Sequence, residues 1–255
     1  MRLAIVLVLA LTLLGCAGAP RDPTADWSAQ RFYTEAKSAL DEGDYEAAIG
    51  HYEKLEARFP YGPYARQAQL EIAYAYYKYD EPESAIAAAD RFIKLHPRHS
   101  NVDYAYYLKG LVNFNRGENF IDRWLPRDDS RRDIGPAREA FRDFGALLSK
   151  FPNSRYAQDA RAKMLYLKGV MAAHEIHVAR FYFDRGAFVA AVNRAKHVIE
   201  RYPQSASVAD ALAVMARAYR AMGLEALRRD TVRVIALNYP NHPLVSQTRT
   251  AQQSE

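Results

Sequence analysis

The stretch that decides the fold is Phe32-Tyr33…Ala36…Leu40, then Glu42-Gly43-Asp44-Tyr45, then Ala47-Ala48-Ile49…Tyr52…Leu55…Phe59-Pro60. On both sides of Gly43 the apolar positions fall three and four residues apart, the spacing of one face of an α-helix. Gly43 accepts the left-handed backbone that ends a helix, and the Asp44 carboxylate caps the start of the next. Pro60 has no amide hydrogen and stops the second helix. The segment predicts helix, tight turn, helix, with small Ala47 and Ala48 letting the pair approach closely.

The same punctuation recurs along the chain. An aromatic residue or histidine precedes proline at Phe59-Pro60, His96-Pro97, Phe151-Pro152, Tyr202-Pro203 and Tyr239-Pro240, and the prolines lie 37, 55, 51 and 37 residues apart. Two equal periods and two longer ones describe five repeats carrying two insertions. The first insertion, from about Gly117 to Gly135, is charged and turn-rich and predicts a surface loop closed by Pro136 in the first turn of a helix. The second lies between Tyr156 and Arg185, contains no proline and predicts one lengthened helix, weakened at Gly169.

Gly43-Asp44-Tyr45, Ala48-Ile49, Tyr52, Leu55 and Pro60 resemble the tetratricopeptide repeat. Tyr74-Ala75-Tyr76-Tyr77 with Glu83-Ser84-Ala85-Ile86, Arg185-Gly186-Ala187-Phe188 with Val198-Ile199, and Ala211-Leu212 with Ala218-Tyr219 and Gly223 repeat the pattern. The fold expected is all-α, a right-handed superhelix of about five helix-turn-helix repeats, with a loop insertion in repeat three and a lengthened helix in repeat four. Stacked helix pairs of this kind bury a continuous core and leave a concave surface for extended or helical segments.

The N-terminus reads Met1-Arg2, an apolar run from Leu3 to Leu14, then Gly15-Cys16. A dozen residues at about 1.5 Å each reach roughly 18 Å, short of a hydrocarbon core of about 30 Å, so the run directs export and does not span a membrane. Leu13-Leu14-Gly15-Cys16 resembles the lipobox of bacterial lipoproteins, which implies cleavage before Cys16 and its lipidation. Cys16 is the only cysteine of 255 residues, which excludes an intramolecular disulfide in an exported chain. Ala17, rather than aspartate, follows it, which by the same resemblance implies sorting to the outer membrane. The expected organisation is a signal peptide over 1–15, lipidated cysteine and flexible tether over 16–26, repeats over 27–242 (N-terminal to about 152, C-terminal from about 153), and a polar, disordered tail over 243–255. The formal charge of +5 is dispersed without a basic block. It suits acidic or lipid-facing partners, and export argues against nucleic acid.

No motif for catalysis emerges. His174-Glu175-Ile176-His177 places its histidines three apart, where a helical zinc site needs His-Glu-x-x-His, and no third ligand is evident. His96 and His99 flank a proline turn and read as capping or solvated groups. Asp128 and Asp129 sit among arginines and read as a solvated, salt-bridged loop. We expect no metal, no cofactor and no enzymatic activity. The tyrosines crowding repeats two and three, Tyr74, Tyr76, Tyr77, Tyr79, Tyr104, Tyr106 and Tyr107, read mostly as core. At about 100° per residue they cannot all face inward, so some, Tyr74 and Tyr77 among them, are expected to line the groove.

Phe59-Pro60-Tyr61-Gly62-Pro63-Tyr64, Asp90-Arg91-Phe92-Ile93, Asp103-Tyr104…Gly110-Leu111, Phe151-Pro152-Asn153-Ser154 and Val192-Asn193-Arg194 follow one another in an order that, with the lipobox, resembles the BamD family of the β-barrel assembly machine. The charged insertion departs most from that family. The resemblance implies a non-enzymatic scaffold on the periplasmic face of the outer membrane. Its implied partners are a periplasmic POTRA domain of BamA, other Bam lipoproteins and unfolded outer-membrane proteins. By the same matching, Arg194 and Asn193 face BamA, with a solvated helix arginine as the plainer reading. Tyr61 and Tyr64 belong to the substrate groove, with turn-packing aromatics as the plainer reading there. A repeat adaptor for a protease or peptidoglycan hydrolase is the alternative function.

Overall fold

The computed structural model describes residues 22–116 and 133–244. The expected signal peptide, Cys16, Asp128, Asp129, most of the charged insertion and the tail beyond 244 lie outside them. Among the described residues there are ten α-helices and no strand: α1 Ala29–Glu42, α2 Tyr45–Arg58, α3 Pro63–Lys78, α4 Pro82–Leu95, α5 Val102–Asn115, α6 Gly135–Lys150, α7 Ala157–Asp184, α8 Phe188–Arg201, α9 Ser207–Ala221 and α10 Glu225–Asn238. The fold class is all-α and tetratricopeptide-like. Contacts divide the chain into two compact units, one up to Ala75 and one from Tyr76.

Two turn designs alternate. At the tight turns one residue is left-handed: Gly43 (φ 83°), Asp80 (φ 63°), Gly186 (φ 74°) and Gly223 (φ 72°). In each, the following amide reaches back five residues, as Asp44 N–H does to the Ala39 carbonyl at 2.9 Å and Leu224 N–H to Tyr219 at 2.9 Å. Asp44 caps α2 by accepting from Ala47 N–H at 3.0 Å, as its position predicts. Asp80 is the departure, because an L-residue pays sterically for a backbone that glycine adopts freely. Asp80→Gly is expected to stabilise the chain by about 0.5 kcal/mol, the steric relief partly offset by chain entropy, and to raise the melting temperature slightly.

At the proline turns the residue before proline leaves the helix with φ near −130° at Phe59, His96, Phe151, Tyr202 and Tyr239. Three residues on, a side chain caps the turn. Asn101 N–H donates to His99 Nδ1 at 3.2 Å, Tyr156 N–H to Ser154 Oγ at 3.2 Å, Ser207 N–H to Ser205 Oγ at 3.1 Å, and Leu244 N–H to His242 Nδ1 at 3.3 Å. His99 is thus a capping group, and its ring also meets Phe92 edge-on. The first proline turn differs, since Gly62-Pro63 opens α3 early and leaves Tyr61 91% exposed.

In the first unit Phe32, Ala36, Tyr52 and Leu55 are fully buried where α1 packs on α2. Residues 22–26, assigned from sequence to the tether, form a turn fastened to this unit. Arg58 pairs with Asp22 and donates to the Thr24 carbonyl, and Thr24 is buried. Hydrogen bonds from the Thr24 side chain and amide, with the Arg58 charge adding to them, hold the Asp22 carboxyl down to about 2.

In the second unit consecutive helices pack from α4 to α10. Helix α7 is continuous over 28 residues, roughly 42 Å, and is not broken at Gly169. Its first half packs with α6 through Ala160, Leu167 and Met171 around Phe144. Its second half packs with α8 and α9 through Ala172, Ile176 and Ala179. Across both units the tyrosines expected mostly as core are only partly buried, although Tyr106 and Tyr107 pack against the core around Phe144. Tyr74, Tyr76, Tyr77, Tyr104, Tyr106 and Tyr107 are only half-buried and Tyr79 is exposed, while Ala73, Ala75, Ala85, Ala89 and Ala105 are fully buried. Alanine fits where helices pack closely, and larger rings are left partly exposed.

Candidate partner-binding surface

In the first unit, three helices converge on one carboxylate. Tyr52 Oη donates to Glu71 Oε2 at 2.5 Å, and Tyr33 Oη to Glu71 Oε1 at 2.9 Å. Gln67 Nε2 adds a bond at 3.2 Å. Burial and then the Glu71 carboxylate push both phenols well above their ordinary range, so they remain donors at any physiological pH. Tyr64 lies half-buried with its ring 5.5 Å from Tyr33, and Tyr74 is also half-buried. Of the tyrosines predicted for the groove, Tyr61 alone is almost wholly in solvent. Tyr77 belongs to the second unit, where its hydroxyl pairs with Asn115. Sequence reasoning placed Tyr33 and Tyr52 only as repeat residues and missed Glu71, which shows no signal beyond one more acidic residue on a helix.

In the second unit Tyr107 stacks on Tyr156 at 4.6 Å and donates to Asp159 Oδ2 at 2.7 Å, while Lys163 Nζ donates to both Asp159 oxygens, at 2.7 and 2.8 Å. Burial alone would raise the Asp159 carboxyl, but the Lys163 and Tyr107 hydrogen bonds overcome it and hold the group below its ordinary value. Burial and the bond to Asp159 raise the Tyr107 phenol.

The most informative cluster centres on Glu175, the glutamate between His174 and His177. Its side chain is 4% exposed, yet it lies among Ala172, Ile176 and Ala179 on the packing face of α7. Arg194 Nη1, from α8, donates to Glu175 Oε2 at 3.1 Å, and Arg138 Nη2, from α6, lies 3.8 Å from Oε1. The partners are cations rather than a metal set, and among the described residues no group of three or more His, Cys, Asp or Glu is placed to hold an ion. Arg194 is therefore more than a solvated arginine, because it neutralises a buried charge. Asn193 beside it is exposed. Farther along, α10 and its cap present Leu224, Leu227, Val234 and Leu237 to solvent, the last 76% exposed.

Tandem helical hairpins that pair their polar groups across neighbouring helices define a repeat protein of the tetratricopeptide class. The chain belongs to the YfiO family of outer membrane lipoproteins, whose model matches residues 25–234. It is similar to proteins named outer membrane protein assembly factor BamD. That of Neisseria gonorrhoeae is 43% identical, with 96% of this chain and 94% of the relative covered. The Xylella fastidiosa protein is 38% identical over 94% of this chain and 83% of its own length. The Vibrio cholerae protein is 37% identical over 91% and 96% respectively. Among solved structures, the TPR2AB domain of yeast Sti1 aligns with a TM-score of 0.46 at 16% identity, covering 84% of this chain and 78% of that one.

Proposed function

We propose that the chain is a lipid-anchored, non-enzymatic scaffold of outer-membrane protein assembly, held at the periplasmic face of the outer membrane through Cys16. The observation that carries this reading is the match, over nearly the whole chain, to relatives named for outer-membrane protein assembly. Its C-terminal repeats bind a periplasmic POTRA domain of BamA, with Arg194 and Asn193 in the interface. Other Bam lipoproteins join the same complex. The half-exposed Arg194 guanidinium, the exposed Asn193 and the apolar face of α10 support that surface, since interfaces combine arginine with solvent-facing apolar side chains. Its N-terminal repeats receive unfolded outer-membrane proteins, and Tyr61, exposed at the turn before α3, is the first residue to test there.

A pull-down from membranes in gentle detergent will recover BamA with the full-length chain. Recovery of proteases or peptidoglycan hydrolases without BamA would replace this reading with the adaptor one. In the same cells Cys16→Ser will move the chain from the outer-membrane fraction to the soluble periplasm without lowering its melting temperature. Full retention on the membrane would assign the anchoring to protein contacts instead of acyl chains.

A further inference from the structure

We infer that Glu175 is a positioning residue of the proposed partner surface: its buried carboxylate presets the Arg194 guanidinium, with Arg138 as the second cation of the same cluster. The inference rests on the reading that Arg194 faces BamA. The geometry separates the two ends of the cluster. The carboxylate is 4% exposed, whereas Arg194 and Arg138 are 47% and 60% exposed. Each guanidinium meets a different carboxylate oxygen, so each retains several of its five N–H donors for a group arriving from outside. Two arginines against one glutamate leave the cluster with a net positive charge.

Stability alone explains this arrangement poorly. A carboxylate on an apolar helix face is costly to desolvate, and a well-packed hydrophobic residue there is often neutral or better. What the carboxylate provides is a fixed anchor beneath two long, otherwise mobile side chains. An arginine already held in place loses less rotamer freedom on binding, which appears mainly as slower dissociation. Three helices contribute one member each (Arg138 from α6, Glu175 from α7, Arg194 from α8), so the long α7 carries the anchor for cations on both neighbours.

The test measures association and dissociation of the full-length chain in detergent with immobilised BamA periplasmic domains, for the parent chain, Glu175→Gln, Arg194→Ala and the double variant. Glu175→Gln should raise the dissociation rate about three- to tenfold, because Arg194 is no longer held. The low-salt association rate should not fall, because the surface gains positive charge. A merely destabilised fold would lower the active fraction and show no such split. In the Arg194→Ala background the same Glu175→Gln change should alter dissociation by less than about twofold. Glu175→Asp, which keeps the charge and withdraws it by one methylene, should move dissociation in the same direction as Glu175→Gln. Unchanged dissociation for Glu175→Gln and Glu175→Asp, or an equal rise with and without Arg194, would overturn the inference. If Arg194→Ala itself leaves dissociation unchanged, the interface reading fails, and this inference with it.

Discussion

Replacing Arg194 with glutamate will destabilise the chain by about 2–4 kcal/mol at neutral pH, in addition to any loss of binding. Arg194 is the nearer of two cations on Glu175, at 3.1 Å against 3.8 Å for Arg138, and the carboxylate they share is 4% exposed. The substitution removes the closer cation and puts a second carboxylate beside the first. Two acids so placed cannot both ionise cheaply, so one of them will have a raised pKa in the folded state. A group whose folded pKa lies above its unfolded value favours folding below the unfolded value and loses that advantage as pH rises. The deficit relative to the parent chain should therefore shrink as pH falls toward about 4.3, the ordinary glutamate value. Urea unfolding at pH 7.5 and 4.5 measures this, and adding Glu175→Gln to Arg194→Glu should restore most of the loss at pH 7.5. A deficit independent of pH would remove Glu175 as its cause. For binding studies, Asn193 is the cleaner position, because it is exposed and lies next to the pair without belonging to it.

The second large effect lies between α5 and α6. Gly110→Ala should cost about 1–3 kcal/mol although alanine favours helices by about 1 kcal/mol over glycine. A Cβ at position 110 would stand 2.5 Å from Cδ1 and Cε1 of Phe144, closer than carbon atoms pack. Phe144 is fully buried and bordered by Tyr107 and Phe114, so its ring has no free direction in which to swing. Shortening the ring should relieve the clash: Phe144→Leu destabilises by itself but should partly rescue Gly110→Ala, giving a favourable coupling in a double-mutant cycle. Additive losses would mean that α5 and α6 adjust by sliding apart.

Much of the fold was legible from local chemistry. Pro60, Pro97, Pro152, Pro203 and Pro240 mark helix ends because no neighbour can supply the missing amide hydrogen. Gly43, Gly186 and Gly223 mark hairpins because few residues tolerate their backbone. The one hairpin lacking that signal, at Asp80, still closes in the same way, with the Glu81 amide reaching back to the Tyr76 carbonyl at 2.9 Å, on a residue less suited than glycine to a left-handed backbone. Helix α7 runs through Gly169 because its apolar contacts on both halves outweigh a propensity cost of about 1 kcal/mol.

The candidate surface was legible only in part. Arg194 and Asn193 stood out through resemblance, but nothing near them in sequence shows that Arg194 meets a residue nineteen positions earlier. Glu175 drew attention for a metal motif it does not complete, and Arg138 drew none. The sequence by itself determined the repeat, its period and its all-α class, because backbone punctuation and helical spacing act over a few residues. Only the tertiary structure decided which carboxylates are buried and which cations answer them, because desolvation depends on what three different helices bring to one place. Glu175 shows the difference: by composition it is one acid among 30 acidic residues, and by position it is the anchor beneath two arginines.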